Sequence, residues 1–129
     1  MSKESDSYTE VYVWGSDSHG QLGIESQQQE SVVRIPRSCT FNILIAQISC
    51  GASHSALITG LGHLYMMGDN TYGQLGVQLS AETRAGSPCL VESMKRHVVG
   101  RVSCGRDFTV VIAKKGEEEG NEVYGWGNN

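Results

Sequence analysis

A chain of 129 residues is one domain's worth of core, and 39% of its residues are hydrophobic. Fourteen acidic against ten basic residues leave a net charge of −4, with Lys and Arg scattered. That excludes the clustered positive charge of sequence-independent nucleic-acid binding. No apolar run reaches the roughly 18 residues of a membrane-spanning helix, so neither nucleic acid nor membrane is expected as a partner.

The first ten residues, MSKESDSYTE, form a polar lead without the apolar centre of a secretory signal. Four cysteines (Cys39, Cys50, Cys89, Cys104) show no CxxC spacing. Cys50 and Cys104 lie inside apolar runs, which reads as reduced, buried cysteine in an intracellular protein rather than disulfides.

Next comes VYVWG (residues 11–15), followed at once by GSDSHGQLG (15–23). The pattern returns as LYMMG–GDNTYGQLG (64–76) and begins again as VYGWG at 123–127, so that Gly15, Gly68 and Gly127 stand 53 and 59 residues apart. A second block repeats in step: ISCGASHSALI (48–58) matches VSCGRDFTVVI (102–112) at an offset of 54. The longer last interval traces to KKGEEEGN (114–121), since five residues separate Ile58 from Leu64 but ten separate Ile112 from Val123.

Within the best-defined unit, ILIAQIS is aliphatic and β-branched and suits a buried strand. HSALIT follows a tight connection at Gly51, and LYMMG follows the turn Gly60-Leu61-Gly62, an antiparallel meander. CLV, after Gly86-Ser87-Pro88, is predicted as an outer fourth strand, where a leading proline removes no ladder donor. No capped helical periodicity competes. Four short strands in about fifty residues fit one blade of a β-propeller. The chain is therefore predicted to be an all-β partial propeller: about two four-stranded antiparallel blades plus the start of a third. Its units are about 11–43, 44–97 and 98–129, after the lead at 1–10.

The glycine-rich segments then act as clasps between blades. Gly15, Gly20 and Gly23, like Gly68, Gly73 and Gly76, supply positive φ or close backbone approach. The amides of Gln21 and Gln74 satisfy backbone groups without ladder partners, and Leu22 and Leu75 turn inward. Trp14, Met67 and Trp126 share one register and are predicted to be interblade core.

Sites of chemistry fare poorly against this frame. His54 between Ser53 and Ser55 suggests a triad, but its counterpart is Phe108, which cannot act as a base, so a packed ring at a blade junction is expected. His19 aligns with Tyr72 in the same way. His63 and His97 lack ligand-spaced Cys or carboxylates. Neither clasp carries the Lys-Ser/Thr of a phosphate-cradling loop. Cys50-Gly51 and Cys104-Gly105 repeat in register and read as small buried residues. Asp69-Asn70 could imitate a metal turn, yet Ser16-Asp17 offers fewer ligands. No catalytic residue, cofactor or metal is expected. Variable loops are the expected partner contacts: Lys114, Lys115, Glu117, Glu118 and Glu119, and the loop from Glu25 to Glu30.

GSDSHGQLG, GDNTYGQLG, the two SCG blocks and the aromatic-Gly blocks resemble the repeats of the regulator of chromosome condensation family. The polar lead running straight into an aromatic-Gly block is similar to its N-terminal propellers of GTPase-regulator type. The resemblance implies a propeller of usually seven blades, of which this chain would be an N-terminal piece, marginal alone and prone to self-association. It further implies a protein-interaction module with a small GTPase, ciliary or cytoskeletal component as partner, in the cytoplasm, cilium or nucleus. The alternative it implies is guanine nucleotide exchange, which needs no catalytic triad.

Overall fold

A computed structural model describes residues 9–24, 32–35, 44–79, 83–116 and 120–129. Three antiparallel sheets follow one another along the chain. The first pairs β1 (Tyr12–Val13) with β2 (Val33–Arg34). The second is a four-stranded meander of β3 (Ile45–Cys50), β4 (His54–Thr59), β5 (Leu64–Asp69) and β6 (Arg84–Leu90). The third joins β7 (His97–Cys104), β8 (Phe108–Lys115) and β9 (Glu122–Gly127). The described residues contain one helical turn, a 3-10 turn at Glu92–Met94 that leads from β6 into β7.

Burial follows from stacking. All six residues of β4 are buried, because successive side chains point to opposite faces and both faces are covered. Leu57 of β4 and Met67 of β5 join Val11, Leu22, Ile24 and Ile35 in one apolar cluster. Ala56, Ile58, Leu64 and Met66, from the other face, join Leu75, Val99, Val102, Val111 and Ala113 in a second. In β8 only one face is treated this way: Thr109, Val111 and Ala113 are buried while Phe108 is exposed. The two cores are thus layers between consecutive sheets, as a propeller requires.

Four expectations need correction. ILIAQIS is not a buried strand: β3 alternates half-buried and exposed residues, with Ile48 56% exposed, because only one of its faces meets a neighbouring sheet. The fourth strand begins at Arg84, well before CLV, and Pro88 lies inside it. The proline is tolerated there because β6 is an edge strand whose pairing with β5 shifts register between Met66 and Gly68. Trp14 is 65% exposed rather than core. Met67 and Trp126 each press on the clasp of the sheet before them, at Gly23 and Gly76, and no clasp precedes Trp14 among the described residues. Cys50 is exposed, not buried, because it ends β3, a strand whose alternate residues face outward.

Candidate functional site: the clasps and the joints they make

The two clasps are built alike from their residues upward. In the second, Gln74 Oε1 accepts the Tyr72 N–H at 2.9 Å, and the Leu75 N–H donates to Asn70 Oδ1 at 3.0 Å. In the first, Gln21 Oε1 accepts the His19 N–H at 2.8 Å, and the Leu22 N–H donates to Asp17 Oδ1 at 2.9 Å. The glycines match as well: φ is 78° at Gly20 and 75° at Gly73, and 71° at Gly23 and 68° at Gly76. A Cβ on Gly76 would lie 2.7 Å from the Trp126 ring, so the missing side chain is what lets the indole seat on the clasp. A third copy starts at Gly127, where the Asn128 N–H donates to Asp107 O at 2.9 Å, as the Asp69 N–H does to Ser53 O at 2.8 Å.

Asp69 is committed to its own loop. Its Oδ1 accepts the Thr71 N–H and hydroxyl at 3.1 and 2.6 Å, and its Oδ2 accepts Gln74 Nε2 at 3.1 Å. Burial pushes this carboxyl up, but those hydrogen bonds outweigh it and hold it below the usual carboxylate range. Among the described residues no group of three His, Cys, Asp or Glu side chains could hold a metal ion.

Each clasp is tied to the next sheet by a hydroxyl. Ser55 Oγ donates to Gln21 O at 2.8 Å, and Thr109 Oγ1 donates to Gln74 O at 2.7 Å. Replacing Thr109, which is fully buried, with valine leaves the Gln74 carbonyl without its donor. The expected loss is about 1–3 kcal/mol of unfolding free energy by urea titration, and serine at the same position should restore most of it.

His54 completes this joint. It is 0% exposed, and its Nε2 lies 3.1 Å from Phe108 O and 3.0 Å from Thr109 Oγ1. A carbonyl only accepts, and the Thr109 hydrogen is already directed at Gln74, so Nε2 carries the proton. Nδ1 is buried without a partner. The ring packs over Gly51, as the Phe108 ring packs over Gly105. Desolvation by burial holds the imidazole below its ordinary pKa of 6.5, against the opposing pull of the Phe108 carbonyl, Asp107 and Asp69.

The sign of the pH effect follows. With the folded pKa depressed, the unfolded chain takes up the proton first as pH falls through about 6.5. Stability is full above that value and declines below it, by no more than about 1.4 kcal/mol per pH unit from this residue. His54→Phe should flatten that part of the stability profile, read by urea midpoints between pH 7.5 and about 5.

Cys89 and Cys104 are not poised as nucleophiles, and Cys39 lies outside the described residues. Burial pushes the Cys104 thiol up to about 11, and burial also raises Cys89. Cys104 is instead part of a second seam. Its N–H donates to Ser49 Oγ at 3.0 Å, while Gln47 exchanges two 3.0 Å hydrogen bonds with the Val102 backbone. Sequence reading missed Gln47 and Ser49, since nothing in a strand's period shows which edge meets a neighbouring sheet. The Ser55–Thr109 pair was findable, because both are hydroxyls in the same repeat register.

Lys114 and Lys115 are exposed at the end of β8, far along the strands from the clasps. Glu117, Glu118 and Glu119, and the loop from Glu25 to Glu30, lie outside the described residues. No helix among the described residues is long and apolar enough to cross a membrane.

Consecutive antiparallel sheets, stacked on apolar layers and joined by a repeated glycine clasp, define a β-propeller repeat protein. A family model of the regulator of chromosome condensation (RCC1) repeat matches residues 10–58 and 62–112, and a second model of that repeat matches 45–74. The chain belongs to the RCC1-repeat family. It is 38% identical over 109 residues to the probable E3 ubiquitin-protein ligase HERC3 of Homo sapiens, covering 83% of this chain and 10% of that protein. It is 37% identical to the X-linked retinitis pigmentosa GTPase regulator of Canis lupus familiaris, covering 80% and 10% respectively. Identity to the secretion-regulating guanine nucleotide exchange factor of Bos taurus is 32%, covering 83% and 23%. The chain thus spans about a tenth to a quarter of the length of these relatives. Among solved structures, human WBSCR16 superposes with a TM-score of 0.72 at 26% identity, over 91% of this chain and 29% of that one.

Proposed function

We propose that the chain is a non-enzymatic protein–protein interaction module, a run of propeller repeats acting in a small-GTPase-linked, ciliary or cytoskeletal assembly inside the cell. The carrying observation is where the repeat's polar side chains go. Gln21, Gln74, Asp69, His54, Ser55 and Thr109 all bond to groups of the clasps and joints. Such a frame is rigid, and recognition falls to side chains projected from its strand ends and loops. Similarity to a GTPase regulator supports the partner class. The repeat units are read as about 11–43, 44–97 and 98–129.

Guanine nucleotide exchange is the second reading, favoured by the similarity to an exchange factor. Exchange would require preferential binding of the nucleotide-free GTPase. The two readings separate in one assay: release of fluorescent GDP from a panel of loaded small GTPases, with the chain added below and then at stoichiometric amounts. A complex by gel filtration with an unchanged release rate is expected. Acceleration by substoichiometric chain overturns the module reading in favour of exchange, and the absence of any complex removes the GTPase link.

A further inference from the structure

Residues in equal repeat positions meet different fates on the last sheet. In the second sheet Ala56, Ile58 and Leu64 share the face that the third sheet covers, and Leu64 is 1% exposed. Their counterparts, at offsets of 54 and 59, are Val110, Ile112 and Val123. Val110 and Ile112 alternate with the buried Thr109, Val111 and Ala113, and Val123 is the register partner of Ile112. All three therefore lie on the outer face of the third sheet. That face is open: Val123 is 69% and Phe108 43% exposed, and Val110 and Ile112 are only half-buried. Arg101 and Ser103, across from Ile112 and Val110, are exposed at its polar rim, as is Lys114.

The complementary surface is at the other end of the chain. Tyr12 and Trp14 hold the places of Tyr65 and Met67 in β5 and of Tyr124 and Trp126 in β9. In both later sheets these positions face the sheet before. Tyr65 and Met67 pack with Val11, Leu22 and Ile24, and Tyr124 and Trp126 pack against the layer that holds Ala56 and Leu64. In the first sheet Val11 is buried against the second, so alternation turns Tyr12 and Trp14 the other way. There Tyr12 is 50% exposed and Trp14 more so. Arg34, across from Tyr12, is paired with Glu10 at 3.3 Å.

One chain thus carries both halves of a joint that it makes twice internally. The halves do not meet within a molecule, because the second sheet stands between them with both faces of β4 buried. We propose that the outer face of the third sheet docks the first sheet of a second copy of this chain, with Val110, Ile112 and Val123 of one copy covering Tyr12 and Trp14 of the next. The contact is head-to-tail: it joins unlike surfaces, so assembly either grows or closes into a ring. Only the start of a third clasp, Gly127-Asn128-Asn129, is present, and the contact between copies rests on apolar area without the glycine seat of the internal joints. It is therefore weaker than they are and reverses on dilution.

Sedimentation velocity of the full chain, over about a hundredfold range of concentration, tests this. The weight-average mass is expected to rise with concentration from that of a monomer to that of a dimer or more. Trp14→Ser and Val123→Glu each remove one half of the contact and should each weaken association about tenfold or more. Mixing the two variants should restore association as a one-to-one complex that grows no further, because each keeps one intact surface. Both changed side chains are exposed, and an unaltered urea midpoint in dilute solution confirms the fold. A monomer at every concentration, association that either variant leaves at wild-type strength, or failure of the two folded variants to pair overturns the proposal. The wild-type measurement decides by itself should a variant unfold.

Discussion

Gly68→Ala is expected to lower unfolding free energy by about 2–6 kcal/mol. Two independent effects combine. The backbone at Gly68 has φ +111°, a region where a side chain costs about 1–3 kcal/mol. An added Cβ would also collide with Ser53 O and lie 2.7 Å from His54 Cα. Both are backbone atoms of the adjoining turn and strand, so no flexible side chain can swing aside, and overpacking of this kind costs about 1–3 kcal/mol more. Gly15 supplies the internal control. Its φ of 109° is nearly the same, yet a Cβ there meets nothing within 4 Å. Gly15→Ala should therefore show the strain alone, about 1–3 kcal/mol. Urea denaturation of the two variants side by side measures the difference. Equal losses would mean that the close approach of Gly68 to the Ser53 turn has no energetic weight.

Leu75→Ala is the second large expectation, at about 2–5 kcal/mol. The side chain is 0% exposed and belongs to the apolar layer that includes Val102 and Val111 of the third sheet. Its truncation leaves a void that the surrounding strands cannot close, because the Leu75 backbone is pinned by Asn70 Oδ1 and the clasp by Gln74. Leu75→Met, which nearly conserves volume, should cost less than about 1.5 kcal/mol. Amide hydrogen exchange adds a spatial readout. Protection in β8 should fall in Leu75→Ala although β8 lies more than thirty residues away in sequence. Loss confined to the clasp itself would contradict a joint between sheets.

Much of this architecture was legible in the repeat. The spacing of glycines and the recurrence of Gln-Leu pointed to all-β blades joined by clasps, and the family follows from the same residues. What the repeat concealed was occupancy. Trp14, Met67 and Trp126 are interchangeable in a linear pattern, yet among the described residues Met67 and Trp126 press on a preceding clasp and Trp14 does not. Cys50 and Cys104 are likewise equivalent in register. Cys104 is half-buried, its Sγ directed at Ser49 O, while Cys50 ends a strand open to solvent. The triad suggested by Ser53-His54-Ser55 dissolves for a physical reason: the imidazole donates its one proton across the joint to Phe108 and Thr109.

The amino-acid sequence by itself determined the local conformations: strands where aliphatic and β-branched residues cluster, and left-handed turns where only glycine avoids a Cβ clash. Those preferences act over a few neighbouring residues and repeat wherever the residues repeat. Tertiary structure alone decided which copy of each motif is covered and which nitrogen of His54 holds its hydrogen. Burial and contact across sheets depend on residues some thirty to sixty positions apart, and a short-range pattern carries no information about who sits opposite.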